Sequence, residues 1–188
     1  MPDQLTAPSR DRAGAAASAR RSPVLVLVVQ ALLVVAALAL AGLVAGVIWF
    51  QLWSPPAGVV RDGRWLTDEA GLRDSFAGTG LYVLVAVLTG FLVGAATAYL
   101  LDRSELVTLA ATLVGAALGG WLMLRLGLEW GPPDPQVLAR TAADGTELDG
   151  ALVVDLPHAW LALPGGALVG TAVVFLVTTK RPTGHRPG

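Results

Sequence analysis

Four apolar stretches, each long enough to cross a lipid bilayer, constrain this chain more than any other feature. The first covers residues 24–50 and holds no charged side chain. Its 27 residues would form a helix of about 40 Å, against a hydrocarbon core of roughly 30 Å, so it should tilt or project beyond the lipid. The others cover residues 81–101, 107–128 and 159–178. Inside lipid every backbone donor and acceptor needs a partner within its own segment, which predicts helices. Hydrophobic residues make up 54% of the chain and charged ones 14%, well short of the roughly one-quarter usual in soluble domains. That balance excludes an ordinary soluble domain and a disordered chain. The expected fold class is an all-α membrane protein of four transmembrane helices.

The cationic residues predict the orientation. Arg10, Arg12, Arg20, Arg21, Arg103, Lys180, Arg181 and Arg186 fall in segments 1–23, 102–106 and 179–188. The other two loops carry Arg61, Arg64, Arg73 and Arg140. Both termini should therefore be cytoplasmic in a multi-pass protein of the cell membrane. The expected organisation is a disordered cytoplasmic tail 1–22, spans at 23–50, 81–101, 107–128 and 159–178, external loops 51–80 and 129–158, a cytoplasmic turn 102–106 and a tail 179–188. Arg20 and Arg21 ahead of an apolar run resemble a signal peptide, but a cleavable apolar region usually has 7–15 residues, so a retained anchor is expected. All six Trp and Tyr82 fall on the external side of this topology, where an interfacial belt is expected.

The two hairpins read as copies. Residues 92–100 and 168–176 match at five of nine positions with an offset of 76, and Trp53-Ser54-Pro55-Pro56 matches Trp130-Gly131-Pro132-Pro133 at an offset of 77. Each hairpin enters and leaves on the same sides, so the expected arrangement is two parallel-repeat hairpins. Each span also carries a Gly-x-x-x-Gly pair: Gly42/Gly46, Gly90/Gly94, Gly115/Gly119 and Gly166/Gly170. Small residues four apart let helix backbones approach closely where lipid removes the hydrophobic drive. These eight are the helix-packing candidates, and a protein partner or a second copy could meet the same Gly-rich faces.

The loops predict a small, partly β external cap. Val59-Val60-Arg61 and Arg64-Trp65-Leu66 flank Asp62-Gly63, which suits a type I′ hairpin turn. Thr67 is expected to cap a short helix running to about Phe76, with Asp68 and Glu69 in its first turn. In the second loop, Asp144-Gly145 and Asp149-Gly150 punctuate strand-like pieces ending in residues 151–156.

No constellation for chemistry emerges. Cys is absent, and His158 and His185 are expected on opposite sides of the membrane. There is no phosphate loop, dinucleotide fingerprint or nucleophile elbow, and Asp144-Gly145-Thr146-Glu147 does not fit a calcium loop. Catalytic, cofactor and metal residues are therefore expected to be none, with no cofactor. Net charge −1 argues against nucleic acid as a partner and leaves the bilayer. Within the spans, Arg125 is the candidate functional intramembrane residue, although it can snorkel and has Glu129 four residues on. Gln30 is expected to bond to a neighbouring helix. Pro164-Gly165-Gly166 is expected to kink the outer end of the fourth span rather than break it.

Lys180 is the only Lys and Ile48 the only Ile, which points to a GC-rich bacterial genome. The basic N-terminal tail, the Trp-rich exit of the first span, Asp62-Gly63-Arg64-Trp65-Leu66, the Gly-rich middle spans and Val153-Val154-Asp155-Leu156-Pro157 are similar to small actinobacterial four-span membrane proteins that carry a domain of unknown function. The likeness covers about residues 20–180 and implies topology and origin, with no activity attached. The expected role is a non-enzymatic scaffold or partner-binding subunit of the cell envelope. The alternative is a small transporter or the membrane subunit of one, for which Gln30, Thr97, Thr112 and Thr171 are the polar side chains on offer.

Overall fold

The computed structural model describes residues 23–101 and 104–179. The tails 1–22 and 180–188, with most of the cations that predict orientation, lie outside the described residues. In chain order come α1 (Pro23–Leu52), β1 (Ala57–Arg61), β2 (Arg64–Leu66), α2 (Glu69–Leu100), α3 (Glu105–Trp130), α4 (Pro135–Ala139), β3 (Glu147–Asp149), a 3₁₀ turn (Ala159–Leu161) and α5 (Ala162–Thr179). Helices α1, α2, α3 and α5 are long and apolar enough to cross a membrane. They form a bundle with the sheet at one end, the sheet end, and the connection from α2 to α3 at the other, the turn end.

Helices α1 and α3 run parallel and pack most extensively on each other, as do α2 and α5. Smaller seams join α1 to α2, α3 to α5 and α2 to α3. The large side chains Leu32, Leu40 and Val44 of α1 point outward, while Gly42, Ala45 and Gly46 turn inward. That is the expected division for helices bathed in lipid, where close backbone approach replaces hydrophobic burial as the packing force. Fully buried Val34, Leu38, Met123 and Leu163 fill what space remains.

Helix α2 starts twelve residues before the expected span at 81, because nothing between Glu69 and Tyr82 stops a helix. The short helix expected after Thr67 is therefore the first part of α2 itself. Its cap is also one residue on: Asp68 accepts from the Gly71 N–H at 2.9 Å, while the Thr67 hydroxyl donates to the Ala57 carbonyl at 2.8 Å. Pro164 lies just after the junction of the 3₁₀ turn with α5. It falls in the first turn of α5, the part of a helix that tolerates a residue without an N–H.

The sheet has three antiparallel strands in the order β2-β1-β3. Val60 pairs with Trp65 and Gly58 with Leu148. Asp62 (φ 50°) and Gly63 (φ 67°) take the left-handed conformations a type I′ turn requires. Residues 151–156 form no strand; the segment passes irregularly over the bundle end and buries Leu152 in the core.

Candidate functional site

The sheet end carries a cleft of about 320 Å³ between the sheet, α4 and the segment after β3. Its walls include Trp53, Trp65, Pro56, Pro135 and Val153, with the carboxylate of Asp134 at its edge. Trp65 is held in place by its indole N–H, which donates to the Leu148 carbonyl at 2.9 Å. Gln136 treats β2 as a strand edge. Its Nε2 donates to the Trp65 carbonyl at 2.9 Å and its Oε1 accepts from the Trp65 N–H at 3.4 Å. An exposed strand edge is thereby covered by one side chain instead of a fourth strand. The pair Asp134-Pro135 positions that side chain, since Asp134 caps α4 by accepting from the Gln136 N–H at 2.9 Å and Pro135 takes the first turn. An acidic cap followed by Pro is a helix-start signal, and it is the clue that could have shown α4, which the sequence reading missed.

Several acids of the second loop have structural work. Asp144 Oδ1 accepts from the Asp62 N–H at 3.0 Å, and the Gly145 N–H donates to the Val60 carbonyl at 2.8 Å, so the two loops are stitched together. No cluster of three His, Asp or Glu residues spaced to hold a metal occurs among the described residues. His158 is exposed just ahead of the 3₁₀ turn.

Below the sheet, two aromatics expected in an interfacial belt are instead fully buried. Trp49 and Tyr82 meet edge to face, with ring centroids 4.9 Å apart. The Trp49 indole N–H donates to the Gly78 carbonyl at 3.0 Å and the Tyr82 hydroxyl to the Gly120 carbonyl at 2.9 Å. Both carbonyls belong to Gly residues in helices, where the missing side chain opens the route to the backbone. Trp121 and Trp130 stay about half exposed on the bundle surface.

Arg125 is exposed on α3, its guanidinium 5.4 Å from the Trp121 ring centroid. Among the described residues it forms no ion pair with Glu129; the ion pair present is Glu69–Arg73 at the exposed start of α2. Arg125 therefore faces away from the bundle interior, about 7.5 Å along the helix from Trp130.

All eight glycines of the Gly-x-x-x-Gly pairs are buried between helices of this same chain. A Cβ on Gly42 would run into the Gly119 backbone, and one on Gly46 would lie 3.0 Å from the Met123 carbonyl oxygen. Cβ atoms on Gly115 and Gly119 would press on Val35 and Leu38. Between α2 and α5, Gly90 faces the Leu163 carbonyl, Gly94 the Ala167 backbone, Gly166 the Val87 carbonyl and Gly170 the Phe91 carbonyl.

At the turn end Gln30 reaches from α1 to both neighbours. Its Nε2 donates to the Leu101 carbonyl at 2.7 Å and to Thr108 Oγ1 at 2.8 Å. Thr108 escapes a sequence search because a lone Thr in an apolar run carries no signal of its partner. Of the other polar side chains in the spans, Thr171 donates to the Gly94 carbonyl at 3.3 Å and Thr97 to Val93 at 2.9 Å on its own helix. No family model matches the chain, and no curated protein or solved structure is significantly similar to it.

Proposed function

We propose that this chain is a non-enzymatic multi-pass protein of a bacterial cytoplasmic membrane, a scaffold or partner-binding subunit that meets its partner through the sheet end. The observation that carries this reading is a contrast between the two parts of the molecule. The interior between the helices is closed by backbone contacts at Gly42, Gly90, Gly94 and Gly166. The sheet end, by comparison, keeps an aromatic cleft open, with exposed Leu66, Val137, Leu138 and Val153 on the elements around it. Exposed apolar side chains beside a cleft are what a protein partner covers.

The excess of Arg and Lys in segments 1–23, 102–106 and 179–188 sets both termini in the cytoplasm and the sheet outside. The Gly-x-x-x-Gly pairs act within the chain, as the packing of its own helices. The parallel repeat draws support from the helix contacts. Gly90 facing Leu163 becomes Gly166 facing Val87 when 76 is exchanged between the partners, and Gly42 faces Gly119 and Gly46 faces Met123 at the offset of 77.

The test is purification from native membranes in mild detergent. A protein held at fixed stoichiometry and released by Val153→Asp or Val137→Asp, with the fold intact, supports the reading. Substrate-dependent flux into liposomes that disappears on changing Arg125 or Pro164 would replace it with a transporter.

A further inference from the structure

The small sheet has two edges, and the chain treats them differently. On β2 the outward backbone groups are those of Trp65, and Gln136 takes both of them. The other edge is β3. Hydrogen bonds across an antiparallel pair fall on alternate residues. Here they fall on Thr146 and Gly150, whose partners are Val60 and Pro56, so Glu147 and Asp149 turn their N–H and C=O groups away from β1. Among the described residues no hydrogen bond reaches any of those groups. No helix packs extensively on β3, and the side chains of Glu147 and Asp149 are exposed.

Free donors and acceptors along an exposed edge are a template for one more strand. A second copy of this chain does not suit it. Joining β3 to β3 sets the acids of one copy against those of the other, and like charges directly opposite are destabilising. A segment with basic side chains reverses the sign. Side chains alternate along a strand, so Glu147 and Asp149 share one face of the sheet. On that face Glu147, with Ala57 and Val59 of β1, lines a cleft of about 600 Å³ against the start of α2. Asp68 and Asp74 also line it, against the one cation Arg61, so negative charge prevails where side chains of an added strand would lie.

We infer that β3 accepts an extended segment of the partner as a fourth strand, one with Lys or Arg at alternate positions. This rests on the reading that the sheet end meets a partner, and it names the chemistry of what is met. The backbone of the added segment bonds to the free groups of Glu147 and Asp149, and its basic residues lie opposite them at about 5.5 Å between Cα atoms. Main-chain bonds supply the affinity, and the spacing of the charges selects the register. The edge is only three residues long, so binding is weak and falls as salt rises.

The probe is a short synthetic peptide of alternating Lys and Val, titrated into the unaltered protein in nonionic detergent. At saturation, hydrogen exchange at the Glu147 and Asp149 amides should slow by about tenfold or more, and unchanged exchange overturns the inference. The same peptide with N-methyl groups on its Lys residues keeps its charge but lacks the donors that face β3. It should bind far more weakly. Equal affinity would mean attraction between charges without an added strand, and overturns the inference too. Glu147→Lys combined with Asp149→Lys should lose the Lys peptide and gain one in which Glu replaces Lys. Two further outcomes separate this inference from the reading beneath it. A native partner that stays on the doubly substituted protein but leaves on Val153→Asp overturns strand addition alone. Peptide binding as described, with no protein co-purifying from native membranes, supports the edge site and counts against the scaffold reading.

Discussion

At the scale of single residues, the fold depends on side chains that are missing. Gly90 and Gly166 sit where a Cβ would meet a backbone carbonyl of the facing helix, which cannot swing aside as a side chain can. Gly166→Val should therefore force α2 and α5 apart and cost about 1–3 kcal/mol or more, the usual range for overpacking. Its neighbour Gly165 is exposed and has open space around its Cβ position. Gly165→Ala should stay within about 0.5 kcal/mol of the parent. Denaturation in mixed micelles at increasing dodecyl sulfate measures both, and equal losses would show that α2–α5 contact does not govern stability. Trp49 makes the complementary case. Trp49→Phe keeps a ring beside Tyr82 but gives up the bond to the Gly78 carbonyl, and should cost about 0.6–1.5 kcal/mol in the same assay.

At the scale of elements, the hairpin β1–β2 and helix α2 show which local signals dominate. Asp62-Gly63 announces its turn because few residue pairs accept two successive positive φ angles. Gly63→Val should open that turn at a cost of about 1–2 kcal/mol, the penalty of a left-handed residue with a branched side chain. Hydrogen exchange at the amides of Arg64 and Leu66, which pair with Arg61 and Val59 across the hairpin, should accelerate, while exchange in α1 and α3 stays as it was. Acceleration throughout the bundle would mean that sheet and helices unfold as one unit. The early start of α2 was legible in part, as a capped helix running to about Phe76. Residues 77–80 hold two Gly and read as a break before the span, yet an Asp68 cap and the absence of Pro allow one helix to run on for about 48 Å.

At the scale of the whole molecule, the proposed orientation makes a prediction that needs little engineering, because the chain contains no cysteine. Asp62→Cys at the hairpin turn should react with a membrane-impermeant maleimide added to intact cells. Ser104→Cys at the turn end should react only after the cells are opened. The reverse pattern would invert the topology and place the sheet end in the cytoplasm.

Four spans were legible because each is a run of apolar residues set by lipid thickness, a purely local requirement. The hairpin turn was legible for the same reason, as its backbone conformation is written in two adjacent residues. What only the tertiary structure decided is which helices touch, and so what each polar or aromatic group does. Sequence places Trp49 and Tyr82 at an interface because their rings suit one, but the carbonyls of Gly78 and Gly120 on other helices draw them into the core. Gln30 meets Thr108 across 78 residues of chain, and Arg125 turns outward to Trp121 instead of into the bundle. Such pairings depend on the mutual rotation of helices, and in an apolar chain with no strong amphipathic stripe that rotation is set by where small residues let two backbones meet.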